Sequence, residues 1–136
     1  MTEIAQRTSV RVYYEDTDFS GRVYHASYIR FFERGRTEWL RELGFQHSTL
    51  ARVDDAAFVV TKLQVDFVAP ALIDDLLEIV TVLKGLKGPL MNFEQTATRA
   101  GAALAIAVVA VVAVRGDRPV RPPRAILEAV ARLKRR

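Results

Sequence analysis

The sequence predicts one α+β domain in which a long amphipathic helix packs against an antiparallel sheet. Three observations carry this. Apolar residues recur at helical spacing between residues 26 and 43, and most of the chain from Phe58 to Val114 reads as strand. The length of 136 residues, 50% of them hydrophobic, supports a single core across residues 1–136 and is too short for two ordinary domains. No linker, repeat or low-complexity stretch divides it.

Thr8 to Tyr14 alternates Val10, Val12 and Tyr14 against Ser9, Arg11 and Tyr13, the period of a strand. Glu15 to Gly21 is dense in turn formers and reads as an irregular loop. From Ala26 to Leu43, Tyr28, Phe31, Phe32, Gly35, Trp39 and Leu43 return every three or four residues, and Gly44 supplies a C-cap signal. Gly35 inside this helix costs about 1 kcal/mol relative to alanine. Close approach of another backbone to the apolar face would account for it, as would simple tolerance.

Phe45 to Ala56 reads as a loop. Strands then follow at Phe58 to Val68, Leu76 to Leu83 and Met91 to Arg99, with turn signals at Pro70 and Asp74-Asp75 and a hairpin connection over Gly85 to Pro89. Ala102 to Val114 is an unbroken run of apolar residues, too short to span a membrane as a helix. Its five valines favour the long central strand of the sheet, with a buried helix as the alternative. Arg124 to Arg135 closes the chain as a short helix presenting Ile126, Leu127, Val130 and Leu133. A curved sheet round one helix leaves a free edge and an open face, and a second copy would cover them, so a homodimer or a dimer of dimers is expected.

Composition narrows the chemistry. With no cysteine and only His25 and His47, disulfide frameworks, thiolate nucleophiles and Cys-based zinc sites are excluded. Met1 to Ser9 carries no apolar signal segment, so the cytoplasm is the expected compartment. The net charge of +4 is concentrated at one end: from Arg115 to Arg136, eight basic residues stand against Asp117 and Glu128, so the remaining 114 residues carry −2. No aromatic side chains interleave the tail, which argues against nucleic acid and leaves a solvated end or a contact with a polyphosphate ligand.

The chemically loaded stretch is Tyr14 to Tyr28, where Glu15, Asp16, Asp18, Gly21 and His25 precede a helix N-terminus. A carboxylate there could attack a carbonyl carbon or take a proton from water, and the first N–H groups of the helix could stabilise an oxyanion. The same residues also fit an ordinary turn, with Asp16 and Asp18 as Asx-turn acids and His25 as a capping or packing residue.

The pattern Arg11-Val12, Thr17-Asp18, Gly21, Val23 and Tyr28 resembles the active-site signature of the 4-hydroxybenzoyl-CoA thioesterase family. Val23-Tyr24-His25-Ala26-Ser27-Tyr28 and Glu33-Arg34-Gly35-Arg36-Thr37-Glu38 narrow the likeness to its YbgC-type, Tol–Pal-associated acyl-CoA thioesterases. The resemblance continues through Ala69-Pro70-Ala71, Asp74-Asp75 and Leu77-Glu78-Ile79 to about Pro123-Arg124-Ala125. It implies a hotdog fold, one central helix wrapped by five or six antiparallel strands, with the active site between subunits. By position, Asp18 is the implied catalytic carboxylate and Asp16 a neighbouring non-catalytic acid. The backbone N–H of His25 would polarise the carbonyl, with its side chain as a further implied aid, and Tyr14, Gly21, Val23, Tyr24 and Tyr28 would shape the substrate pocket. The implied reaction is hydrolysis of acyl-CoA by a homodimer or homotetramer, without metal or redox cofactor. The alternative is a non-catalytic module binding acyl-CoA or acyl carrier protein. Pro89-Leu90 replaces the family's small hydroxyl residues, and Phe19-Ser20 replaces its small pair after the catalytic acid. Phe19 would narrow the acyl pocket or raise the Asp18 pKa by desolvation.

Overall fold

The computed structural model describes residues 5–134. Strand β1 (Gln6–Arg11) leads through a short 3-10 turn (Tyr14–Asp16) to helix α1 (His25–Glu42). Helix α2 (His47–Asp54) then precedes β2 (Ala57–Phe67), β3 (Leu76–Lys87), β4 (Leu90–Arg99), β5 (Ala102–Arg115) and the two-residue β6 (Arg118–Pro119). Helix α3 (Arg124–Lys134) ends the described chain. The sheet runs β1-β3-β4-β5-β2 with every neighbour antiparallel, and β6 pairs with the end of β5.

The expected helix wrapped by a sheet is present, and period 2 explains which faces meet it. On β4, Met91, Phe93, Gln95 and Ala97 point inward; on β5, Ala105, Ala107, Val109, Val111 and Ala113 do so. From the helix come Tyr28, Phe31, Phe32, Trp39 and Leu40. Burying Phe31 and Phe32 completely is worth roughly 1.5–3 kcal/mol each by area. The alanines of β5 leave room for these rings. Gly35 sits where the sheet comes closest: a Cβ there would lie 2.7 Å from Thr81 Oγ1, 2.8 Å from Ile79 Cγ2 and 2.9 Å from Gln95 Nε2. Close approach explains the glycine, but it is the approach of side chains from β3 and β4 and not of the backbone that was expected.

Four expectations are corrected. Residues 47–54 form α2 and not part of a loop; the segment is short, with Leu50 alone buried, so it shows little periodicity. It stops at Asp55, which takes a left-handed φ of 50°. β1 ends at Arg11, because the Asp16 carboxylate accepts the Tyr13 N–H at 2.8 Å and turns the chain, leaving Tyr14 83% exposed. The β3–β4 connection is tighter than expected: pairing runs through a bulge after Leu83 to Lys87↔Leu90, and Gly88 at φ 57° makes the turn. β5 lies between β4 and β2, while β4 holds the centre of the order.

α3 buries Ile126 and Val130. Arg135 and Arg136, counted in the basic tail, lie outside the described residues. No helix among the described residues is long and apolar enough to cross a membrane.

Candidate active site

The loop between β1 and α1 is held at several points. Thr17 bridges to Val23 and Arg22 to Leu72, the Val23 N–H donates to the Ala71 carbonyl at 2.9 Å, and the Asp18 N–H donates to the Arg22 carbonyl at 2.9 Å. Between them, Asp18 to Gly21 forms a tight turn closed by the Gly21 N–H on the Asp18 carbonyl at 3.0 Å. Gly21 adopts φ 81°, a conformation costly for a residue with a Cβ.

This turn presents Asp18 to solvent with its Oδ1 accepting the Ser20 N–H at 2.8 Å and the Ser20 hydroxyl at 2.5 Å. Those two bonds hold the carboxyl below its ordinary value of 3.8, hydroxyl first; Arg22 and His25 add to the effect, and partial desolvation opposes it. Asp18 is thus an ionised carboxylate at neutral pH. Phe19 is 100% exposed at the turn tip and does not desolvate it, so the expectation that Phe19 raises this pKa is reversed.

α1 begins at His25, and its N-cap Tyr24 supplies no side-chain hydrogen bond. The first N–H groups of a helix have no intrahelical acceptor, and the dipole makes that end electropositive. The His25 ring lies 4.5 Å from that of Tyr24 and 6.2 Å from Phe67. Tyr28 is buried against Phe67, ring centroids 5.6 Å apart, and burial pushes its phenol up from 10.0.

An open cleft of about 370 Å³ brings Asp18, Val23, His25 and Tyr28 together with Ser20, Arg22 and the stretch Phe67 to Pro70. Gly21 and Tyr14 are not in it: with Thr17, Phe19 and Ile73 they line a neighbouring hollow of about 610 Å³ on which Asp18 also borders. The Tyr24 ring is half-exposed beside His25. Sequence reasoning missed Ser20 and the wall from Phe67 to Pro70. Ser20 had a usable signal, since a hydroxyl two residues after an Asp is the pattern of an Asx turn. The wall arrives from β2 by long-range pairing.

A second, narrower cavity of about 160 Å³ lies further along α1, between Trp39, His47, Phe58 and Phe93. Among the described residues no three His, Asp or Glu side chains gather as a metal site.

Residues 12–130 match the Thioesterase-like superfamily. The chain belongs to that family. Within this superfamily it is similar to the acyl-CoA thioesterase YbgC of Haemophilus influenzae, 51% identical over 90 residues, 66% of each chain. The match therefore spans about two thirds of that relative's length. A probable thioesterase from Bartonella henselae superposes with a TM-score of 0.86 at 40% identity, over 88% of this chain and 100% of that one. A thioesterase from Thermus thermophilus, solved in complex with coenzyme A and Zn, gives 0.82 at 27% identity over 96% and 94% of the two chains. The curled antiparallel sheet enclosing α1 is the hotdog fold of these superfamily members.

Proposed function

We propose that the protein hydrolyses short-chain, medium-chain or aromatic acyl-CoA to a carboxylic acid and coenzyme A. The supporting observation is the meeting, in one open cleft, of an ionised Asp18 and an uncapped helix N-terminus at His25. The carbonyl oxygen of the thioester faces the His25 and Ala26 N–H groups, and its carbon faces Asp18. As nucleophile, Asp18 forms a C–O bond to that carbon while the C–S bond breaks and the CoA thiolate leaves to take a proton from water. A water molecule then splits the mixed anhydride, returning the Asp18 carboxylate and releasing the acid. As general base, Asp18 would instead take a proton from the attacking water. A carboxylate held below 3.8 is ionised at neutral pH, as both routes require. Label recovered in the Asp18 carboxylate after a single turnover in ¹⁸O-water would establish the nucleophilic route, since a general base acquires none.

The names of the YbgC relative and of the coenzyme A complex support the substrate class. The test is thiol release from acyl-CoAs of graded length, an aromatic acyl-CoA and acyl carrier protein thioesters, with Asp18→Asn as control. Release lost in a folded Asp18→Asn protein is expected. Saturable binding without release would make the protein a binding module and end the proposal, as would full activity in Asp18→Asn.

The working unit of this proposal is a cytoplasmic homodimer, alone or paired into a tetramer. β2 is a long edge strand with Val59, Val60 and Phe67 exposed, and Val68 exposed just beyond its end, the kind of edge that pairs with another strand. The basic tail supports the same unit. Phe67 at the cleft pairs with Ala105, whereas Arg118 pairs with Arg115, about ten residues or roughly 33 Å along β5. The tail arginines are therefore far from the cleft of their own chain. Antiparallel pairing of β2 with its copy would bring the partner's tail toward the cleft and so toward the CoA phosphates.

A further inference from the structure

We propose that Ser27 and Arg30 are positioning residues for the thioesterase reaction, acting through the buried Asp16 to set the Asp18 turn against the start of α1. This rests on the function proposed above.

Asp16 is the only buried carboxylate among the described residues, and a buried charge is tolerated only when its oxygens are occupied. Its Oδ2 accepts the Tyr13 N–H at 2.8 Å and its Oδ1 faces Arg30 Nη2 at 3.3 Å. Its main-chain carbonyl accepts twice at the start of α1, from the N–H of the N-cap Tyr24 at 2.8 Å and from the Ser27 hydroxyl at 3.0 Å. Arg30 Nη2 also donates to Ser27 Oγ at 3.2 Å, closing a triangle between the loop and the first two turns of the helix. One peptide unit is thereby clamped to the element that carries His25. Asp18 follows only two residues later, across Thr17, which is itself bridged to Val23. Neither Ser27 nor Arg30 lines the cleft, so any influence on the reaction passes through Asp16. Geometry of this kind matters because misplacing a reacting group by about 1 Å costs on the order of 100-fold in rate.

The test compares Ser27→Ala, Arg30→Met and Arg30→Lys in acyl-CoA hydrolysis well below each variant's unfolding midpoint, with amide hydrogen exchange read at Tyr24. We expect Ser27→Ala and Arg30→Met each to lower kcat about tenfold with KM nearly unchanged, and Arg30→Lys to recover most of the loss. The double variant should fall short of the product of the two, because both act on Asp16. Exchange at the Tyr24 amide should accelerate in the two disabling variants. Unchanged kcat in both, with wild type active and Asp18→Asn inactive, overturns the positioning role while leaving the function intact. If the wild type hydrolyses no thioester, the function fails, and unchanged exchange at Tyr24 overturns the clamp independently of activity.

Discussion

Replacing Gly35 with alanine sets two effects of opposite sign against each other in the middle of α1. Helix propensity favours alanine by about 1 kcal/mol. Packing opposes it, since the new Cβ would stand under 3.0 Å from Thr81, Ile79 and Gln95. Overfilling a packed core costs typically 1–3 kcal/mol. Gln95 cannot yield freely, because its Nε2 donates to the Phe32 carbonyl at 2.8 Å and to Thr81 Oγ1 at 2.9 Å while Arg36 holds its Oε1 at 3.0 Å. Displacing it forfeits roughly another 1 kcal/mol for each buried bond broken. The net expectation is a loss of about 1–3 kcal/mol, or on the order of 3–10 °C in Tm for a chain of this size. Urea unfolding followed by circular dichroism measures it. Removing the nearest obstacle should couple favourably, so Gly35→Ala with Thr81→Ala should cost less than the two single changes combined. A Gly35→Ala protein as stable as wild type, or more so, would refute the close-approach explanation.

Three further outcomes follow from the same geometry. Because Asp18 is depressed below 3.8, the carboxylate form persists down to that region and the acid limb of kcat/KM should lie there; Ser20→Ala, which removes the leading cause, should move that limb upward, measured as a pH–rate profile. Asp75 is likewise depressed below 3.8, chiefly by the Leu72 N–H, with Arg99 at 2.6 Å helping. Its contribution to stability is therefore present above 3.8 and lost as pH falls through the lower folded value, so unfolding midpoints of wild type and Asp75→Asn should converge in acid. A charge on the β2 edge, Val59→Lys, should convert the proposed dimer to monomer in light scattering and raise KM for acyl-CoA. Neutralising Arg118, Arg121 and Arg124 together should then raise KM in the dimer and leave it unchanged in the Val59→Lys monomer.

How much of this was legible in the sequence depended on the range of the physics involved. α1 and β4 were readable because their partners are set by period alone: Phe31, Phe32 and Trp39 on one helical face, Met91, Phe93, Gln95 and Ala97 on one strand face. α2 was not, since eight residues with one buried leucine carry too little periodicity to separate helix from loop. The placement of β5 could not be read either. An all-apolar strand signals burial, whereas its position one strand in from the β2 edge is fixed by pairing with residues 38 to 57 positions away.

The candidate site shows the same division at closer range. Asp18 and His25 lie within one short segment, so a loop feeding a helix N-terminus was enough to place them side by side. What acts on Asp18 was harder to foresee, because adjacency in sequence is a poor guide on a tight turn. Phe19, its immediate neighbour, is thrown outward at the tip, while Ser20, one residue further, folds back to donate two hydrogen bonds to Oδ1. The sign of the pKa shift follows from that alternation: hydrogen bonds to the charged form lower it, and an outward ring removes no water. An acidic, water-exposed Asp18 gains little reactivity from its own surroundings in a single chain. In the proposed reaction, activation then falls to whatever excludes water from the cleft once substrate is bound, and the half-exposed Phe67 at the end of β2, with Val68 just beyond it, gives the cleft wall an apolar surface suited to that.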